Sequence, residues 1–263
     1  MPKARSSSAA RAVRRKGTPP KRPAPKRTKP RKPIELYFWP TSNGIKISVM
    51  LEECGLPYEL KPVNINRGEQ FDPHFLSISP NNRIPAIVDP DGPDGKPIGI
   101  FESGAILQYL GRKTGKFYPL NERKRIEVDQ WLFWQVGGLG PMAGQAHHFR
   151  GYAPEQLPYA IARYTDEVNR LYGVMEKRLA DRDYLAGDYS IADIASWCWS
   201  RSWERQGQNI DDFPRLKAWH ERIVARPAVQ RGVHVGEYLR SPNYQIGQDP
   251  VAMKILFGQR ARA

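Results

Sequence analysis

Ser79-Pro80-Asn81-Asn82-Arg83-Ile84-Pro85-Ala86-Ile87-Val88 sets a proline at the opening of a brief apolar strand, Ile84 to Val88, directly behind a turn-forming run. What flanks that strand decides the architecture. Upstream, Ile34 to Trp39 is a short apolar run rich in aromatics that ends in the turn residues Pro40 to Gly44, and it reads as a strand. Ile45, Val49, Met50, Leu51 and Cys54 then recur at helical spacing, which predicts a helix from about Asn43 to Cys54 that stops at Gly55. Tyr58 to Ile65 predicts a second strand and Pro73 to Ile78 a short helical stretch. Downstream, Asp91 to Asp94 form a turn and Gly95 to Phe101 offers a further strand. Glu102 to Lys113 is helical, with Ala105, Ile106, Tyr109 and Leu110 on one face.

The resulting order is β-α-β-α-β-β-α, and with a proline opening the third strand it is the thioredoxin-like plan. After Pro119 the strands vanish. Ile126 to Val136, Pro158 to Leu179, Ile191 to Trp203 and Phe213 to Ala225 all show helical periodicity. Ser190-Ile191-Ala192-Asp193 predicts a capping box, and a helix starting there buries Ile194, Ala195, Trp197 and Cys198. The expected fold is an α/β thioredoxin-like N-terminal domain, residues 34–118, followed by an all-α C-terminal domain, residues 119–237. A basic disordered extension, residues 1–33, precedes them, and a C-terminal tail, residues 238–263, follows.

The charge is distributed unevenly enough to mislead. The chain carries 41 Lys and Arg against 27 Asp and Glu, a formal net charge of +14. Thirteen of those bases fall between Lys3 and Lys32, before the first acid at Glu35, so the remainder holds 28 bases and 27 acids. The basic field belongs to a tail and not to a folded surface. Seven prolines and Ser6, Ser7 and Ser8 in that tail, with few large apolar side chains, predict disorder. Three readings remain open for it: a merely solvated extension, a weak polyanion tether acting through phosphate contacts, or a targeting segment, although prolines from Pro19 onward break an amphipathic helix.

Cys54 and Cys198 are the only cysteines, with no C-x-x-C pair and no cysteine-histidine cluster, which excludes a self-contained dithiol oxidoreductase and a zinc ribbon. Redox chemistry on this chain must borrow its thiol. No apolar run approaches 18 residues, so no membrane span is expected, and Met1 to Lys16 lacks the apolar core of a secretory signal. The expected location is cytoplasmic.

Four stretches carry a family resemblance: Pro40-Thr41-Ser42-Asn43-Gly44-Ile45-Lys46, Ser79 to Ala86, Phe101-Glu102-Ser103-Gly104-Ala105-Ile106-Leu107, and Trp131-Leu132-Phe133-Trp134-Gln135 continuing to Pro141-Met142-Ala143-Gly144-Gln145. With Tyr159 to Tyr172 and Ser190 to Trp199 they span about residues 34 to 232. Their order and spacing resemble glutathione transferases, and within them the Nu class of bacteria and the related domain of a fungal nitrogen regulator. The basic extension and the tail from Tyr238 lie outside the likeness.

The resemblance implies glutathione as cosubstrate, no metal, and a homodimer. It also implies a site. Ile84-Pro85 is expected as a cis turn that offers the Ile84 backbone to the cysteinyl unit. Glu102 and Ser103, at a helix N-terminus, are expected to take the γ-glutamyl ammonium and carboxylate; a capping role remains open for the pair. Thr41 and Asn43 precede the first helix, where a thiol ionises more easily and where both side chains can donate to a thiolate or orient a disulfide. Capping alone selects the same residue types. Tyr37 and Ser42 are alternative donors, Tyr37 the weaker because it lies within a strand.

Gln70 matches a glutathione-contacting position and Arg163 a supporting arginine, acting in its own or the partner subunit; Glu167, Asp166 and Arg170 leave a solvated ion-pair network open for Arg163. His147-His148 departs from some close relatives and could alter the pocket wall, although adjacent positions diverge too far for a shared metal. Trp131 and Trp134 share a helix face that suits packing better than electrophile stacking. The implied activity is glutathione-dependent disulfide reduction. Conjugation of glutathione to small electrophiles is the enzymatic alternative, and a non-catalytic glutathione-binding module tethered by its basic tail is the alternative of another kind.

Overall fold

The computed structural model describes residues 32–239 and 246–260. The expectations placed on residues 1–31, disorder and the polyanion tether among them, therefore lie outside the described residues. A four-stranded sheet has the order β2-β1-β3-β4, with β1 at Ile34–Phe38, β2 at Tyr58–Pro62, β3 at Ala86–Asp89 and β4 at Ile98–Phe101. β1 and β2 are parallel and joined through helix α1, Ser42–Cys54, while β3 runs antiparallel to both β1 and β4. Alternation along β1 gives the sheet two apolar faces. Ile34, Leu36 and Phe38 enter the main core, and Tyr37 packs on the other side with Trp39, Val63, Phe75 and Ile84.

Helix α1 is buried from Gly44 to Leu51 and at Cys54, and each of its large apolar side chains removed from water contributes about 1.5–3 kcal/mol. It packs against α3, Ser103–Thr114, and against two helices of the second half, α7, Ile191–Ser200, and α9, Pro227–His234. The approach to α9 is close. A Cβ on Gly232 would meet the Val49 Cα at 2.5 Å, and Ser48 Oγ donates to the Gly232 carbonyl at 2.6 Å. A short helix α2, Pro73–Ile78, completes the first half.

The second half is helical, as expected, but holds more helix than periodicity shows. The sequence predicts one helix ending at Val136. Instead α4, Glu122–Trp134, runs through a π-helical turn, Gln135–Leu139, directly into α5, Gly140–Gly151. Gly140 is crowded by its neighbours: a Cβ there would lie 2.8 Å from Gln135 Nε2. α6, Pro158–Arg178, and α8, Pro214–Val224, fall where expected. The Ser190–Asp193 capping box is present, and the fully buried Asp193 carboxylate also accepts from the Leu185 amide and the Trp219 indole, each at 2.9 Å.

Boundaries shift where proline intervenes. β2 ends at Pro62 rather than Ile65, and β4 starts after Pro97 rather than at Gly95. Helices α9 and α10, Pro250–Phe257, were not anticipated, and α10 turns part of the expected tail into ordered structure. One apolar core runs without a seam from the sheet through α1 into α7 and α8.

Candidate functional site

A cleft of about 330 Å³ opens beside the N-terminus of α1. Thr41, extended at φ −106° and ψ 166°, caps that helix: its Oγ1 accepts from the Gly44 amide at 3.2 Å. An accepting hydroxyl keeps its own proton to donate. Gly44 has to be glycine, since a Cβ there would meet the Trp39 carbonyl at 2.2 Å. The capping role left open for Thr41 is therefore filled, and a donor still faces the cleft.

Asn43, one turn-position further on, accepts a hydrogen bond on Oδ1 from the Trp199 indole at 2.8 Å. Its amide nitrogen makes no hydrogen bond among the described residues, and Asn43 lines the cleft. Ser42 lines it too. Tyr37 does not: its hydroxyl meets Glu35 at 3.1 Å and His74 at 3.0 Å, and burial together with Glu35 pushes it up to about 12. A phenol so placed is no donor to a cleft thiolate.

Gln70 is buried in a 3₁₀ turn, Glu69–Phe71, and lines the cleft. Its Nε2 donates to the Ile65 carbonyl at 3.2 Å, while its Oε1 is buried without a partner. Orphaned acceptors of that kind cost stability unless a ligand supplies the donor. Ile84 lines the cleft and the Ile84–Pro85 bond is cis, as expected, with the antiparallel ladder beginning only at Ala86.

The remaining predicted residues stand apart from this lining. Ser103 is buried at the first turn of α3, and its Oγ accepts from Lys46 Nζ at 3.2 Å; Lys46 also donates to Gln135 Oε1 at 2.7 Å. Glu102 just before it is exposed and holds φ 69°, a left-handed conformation that side chains adopt at a cost of about 1–3 kcal/mol and that concentrates at functional sites. Arg163 sits on α6, facing solvent, 3.6 Å from Glu167, which Arg170 also engages at 2.6 Å. It does not line the cleft of its own chain. The ion-pair network that the sequence left open is what the structure contains.

Several lining residues escaped the sequence. Arg83, Arg201 and Arg205 give the wall three guanidinium groups, and among the described residues no carboxylate lines it. Arg83 was visible inside the Ser79 to Ala86 stretch; the other two carry no local signal. His147 stacks on Trp199, with ring centroids 6.0 Å apart and planes 23° from parallel. Burial and the nearby Arg205 pull its pKa down to about 4, so the ring is neutral, and its Nε2 has no partner. His148 points elsewhere, edge-on to Phe257 at 4.6 Å. Ile246, Leu256 and Phe257 close one side, so the end of the chain helps to build the site.

Neither cysteine can act there. Both are buried and outside the lining, and burial pushes the Cys198 thiol up to about 12. Trp131 and Trp134 form an edge-to-face pair 5.2 Å apart in the packing below, also outside the lining. Among the described residues no group of three His, Cys, Asp or Glu converges. What the cleft offers is a pair of donors at a helix end, an unsatisfied amide acceptor, a cationic wall and an apolar rim, suited to an anionic thiol brought from solution.

The family model for the glutathione S-transferase N-terminal domain matches residues 32–112, and that for the C-terminal domain residues 143–227. The chain is 56% identical over 197 residues to the disulfide-bond oxidoreductase YfcG of Escherichia coli, covering 74% of this chain and 92% of that one. A glutathione transferase of Burkholderia graminis, solved with two glutathione molecules per subunit, superposes with a TM-score of 0.73 at 47% identity, covering 76% and 87% of the two chains. One from Pseudomonas putida, solved with a glutathione disulfide per subunit, gives 0.74 at 42%, covering 77% and 91%.

Proposed function

The chain belongs to the glutathione S-transferase family, and on that premise we propose that it reduces disulfides with glutathione in the cleft beside Thr41 and Asn43. The observation that carries this reading is the pair of outward donors at the head of α1, one of them fixed by Trp199. A glutathione sulfur at that helix end is stabilised as thiolate by the Thr41 hydroxyl, the Asn43 amide and the positive end of the helix dipole. It attacks one sulfur of the substrate disulfide; the S–S bond breaks, a glutathionyl mixed disulfide forms, and the other half leaves as a thiolate that takes a proton from water. A second glutathione thiolate then attacks the mixed disulfide. Glutathione disulfide forms, and the substrate's second thiolate is released. Two electrons pass from two glutathiones to one disulfide, with no protein nucleophile, and positioning does the catalysis.

The rest of the ligand has places. Gln70 Oε1 accepts from a peptide amide, the Ile84 backbone pairs with the cysteinyl unit beside Pro85, and Glu102 and Ser103 receive the γ-glutamyl group. Arg83, Arg201 and Arg205 favour an acidic disulfide as substrate and suit the anionic glutathione disulfide that forms as product. Exposed Ile126, Phe133 and Phe101 support a homodimer, with Arg163 reaching the neighbouring subunit's ligand, and the enzyme is read as cytoplasmic.

Turnover of a small disulfide and of an aromatic electrophile, measured side by side, tests the reaction. Disulfide turnover that Thr41→Val and Asn43→Ala both depress is the expected result; brisk conjugation without disulfide turnover overturns it. The 13 bases before Glu35 support a separate, weak polyanion affinity, which deletion of residues 1–33 should abolish while leaving turnover intact.

A further inference from the structure

Lys46 is one of the largest fully buried side chains in the protein, 1% exposed, on the face of α1 turned toward α3 and α7. Its Nζ donates to two neutral acceptors, Ser103 Oγ and Gln135 Oε1. No carboxylate lies within ion-pair distance among the described residues. A buried cation without a counter-ion is costly, and a charge retained in such a place calls for an anion from elsewhere. The titratable groups that face it are Cys198 of α7, held as a neutral thiol, and Glu102 at the head of α3, which is exposed.

Ser103 links this lysine to the site. A serine that accepts from Lys46 directs its own proton away from it, and Ser103 stands in the first turn of α3, where free backbone amides point at the same place. We propose that Lys46 is a positioning residue that supplies the buried counter-charge for the γ-glutamyl carboxylate of glutathione through Ser103, so that docking the carboxylate draws a proton onto Lys46. The inference rests on Ser103 being the carboxylate site, as read above.

Burial brings the free Lys46 ammonium down to about 7, so above neutrality much of it is unprotonated before the ligand arrives. An arriving anion favours the charged form and raises that value. The sign follows: binding takes up a proton, so affinity falls as pH rises through and above about 7, by up to tenfold per unit.

Calorimetric titration of the full chain with S-methylglutathione at about pH 8, in two buffers of different ionisation enthalpy, counts the proton without interference from a thiol. An analogue whose γ-glutamyl unit lacks the α-carboxylate but keeps the amine is the control. Proton uptake approaching one with S-methylglutathione, and little with the analogue, is expected. Lys46→Met is expected to remove the uptake and to weaken S-methylglutathione by about 30-fold or more, as when one partner of a buried charge pair is lost, while leaving the analogue's affinity unchanged. Binding without differential uptake overturns the inference alone, as does an equal loss of affinity for both ligands; no binding of S-methylglutathione by the unaltered chain overturns the reading of the cleft as well. If Lys46→Met fails to fold, the proton count on the unaltered chain still decides.

Discussion

The indole nitrogen of Trp199 lies 2.8 Å from Asn43 Oδ1, across 156 residues of sequence. An indole N–H can only donate, so it fixes the amide with its oxygen inward and leaves the nitrogen, a donor, for the cleft. A free asparagine would present either end to a thiolate, and one end repels it.

Trp199→Phe keeps a ring against His147 but releases that lock. The loss of one hydrogen bond worth about 1 kcal/mol should lower kcat roughly fivefold, less than Asn43→Ala does. The thiol pKa of bound glutathione, followed by thiolate absorbance, should rise in parallel. An unchanged pKa would show that the amide orients itself.

Thr41 carries two duties on one oxygen, and substitution separates them. Thr41→Val removes both the cap, about 1 kcal/mol of stability, and the outward donor, about tenfold to a hundredfold in kcat. Thr41→Ser should restore most of each. Urea midpoints read the first loss and steady-state kinetics the second.

Ending the chain at residue 245 removes Ile246, Leu256 and Phe257 from the cleft wall together with the Arg67–Asp249 ion pair at 3.4 Å. Ala252 is the one fully buried residue of α10, so the body should stay folded. The KM for a disulfide is expected to rise about fivefold with a smaller change in kcat, as when uniform binding is lost. Equal kinetics for the two chains would place the substrate elsewhere.

Acid should destabilise the protein through two buried histidines, with part of the loss offset by the buried Asp193 carboxyl, which burial pushes up to about 6. Burial holds His220 at about 3 and His147 at about 4, while in the unfolded chain each protonates near 6.5. Between those values the unfolded state binds more protons, so stability rises with pH and is lost as pH falls below about 6.5, by up to ~1.4 kcal/mol per unit for each ring. Urea midpoints at about pH 7 and pH 5 give the slope, and His220→Gln should remove the larger part of it, because the proton that Asp193 takes up in the folded state already offsets much of one ring.

Local chemistry was enough for the frame. Gly55, in left-handed conformation at φ 66°, ends α1 where expected; the Ser190–Asp193 box starts α7; and Thr41 caps the first helix beside the cleft, whereas the cis bond before β3 was expected from the family resemblance alone. The first three each depend on a few adjacent residues whose dihedral preferences and hydrogen-bonding atoms act over one turn, so the chain's letters suffice. The cleft's character came from long-range approach. Gly137, Gly138 and Gly140 lie inside a continuous helix, and at Gly140 the approach of Gln135 and Trp199 leaves no room for a side chain. Lys46 is buried because α3 and the π turn close over it, and Arg201, Arg205 and Phe257 meet Thr41 only through folding. Burial, desolvation and the choice of hydrogen-bond partner are properties of neighbours in space, which periodicity along the chain does not encode.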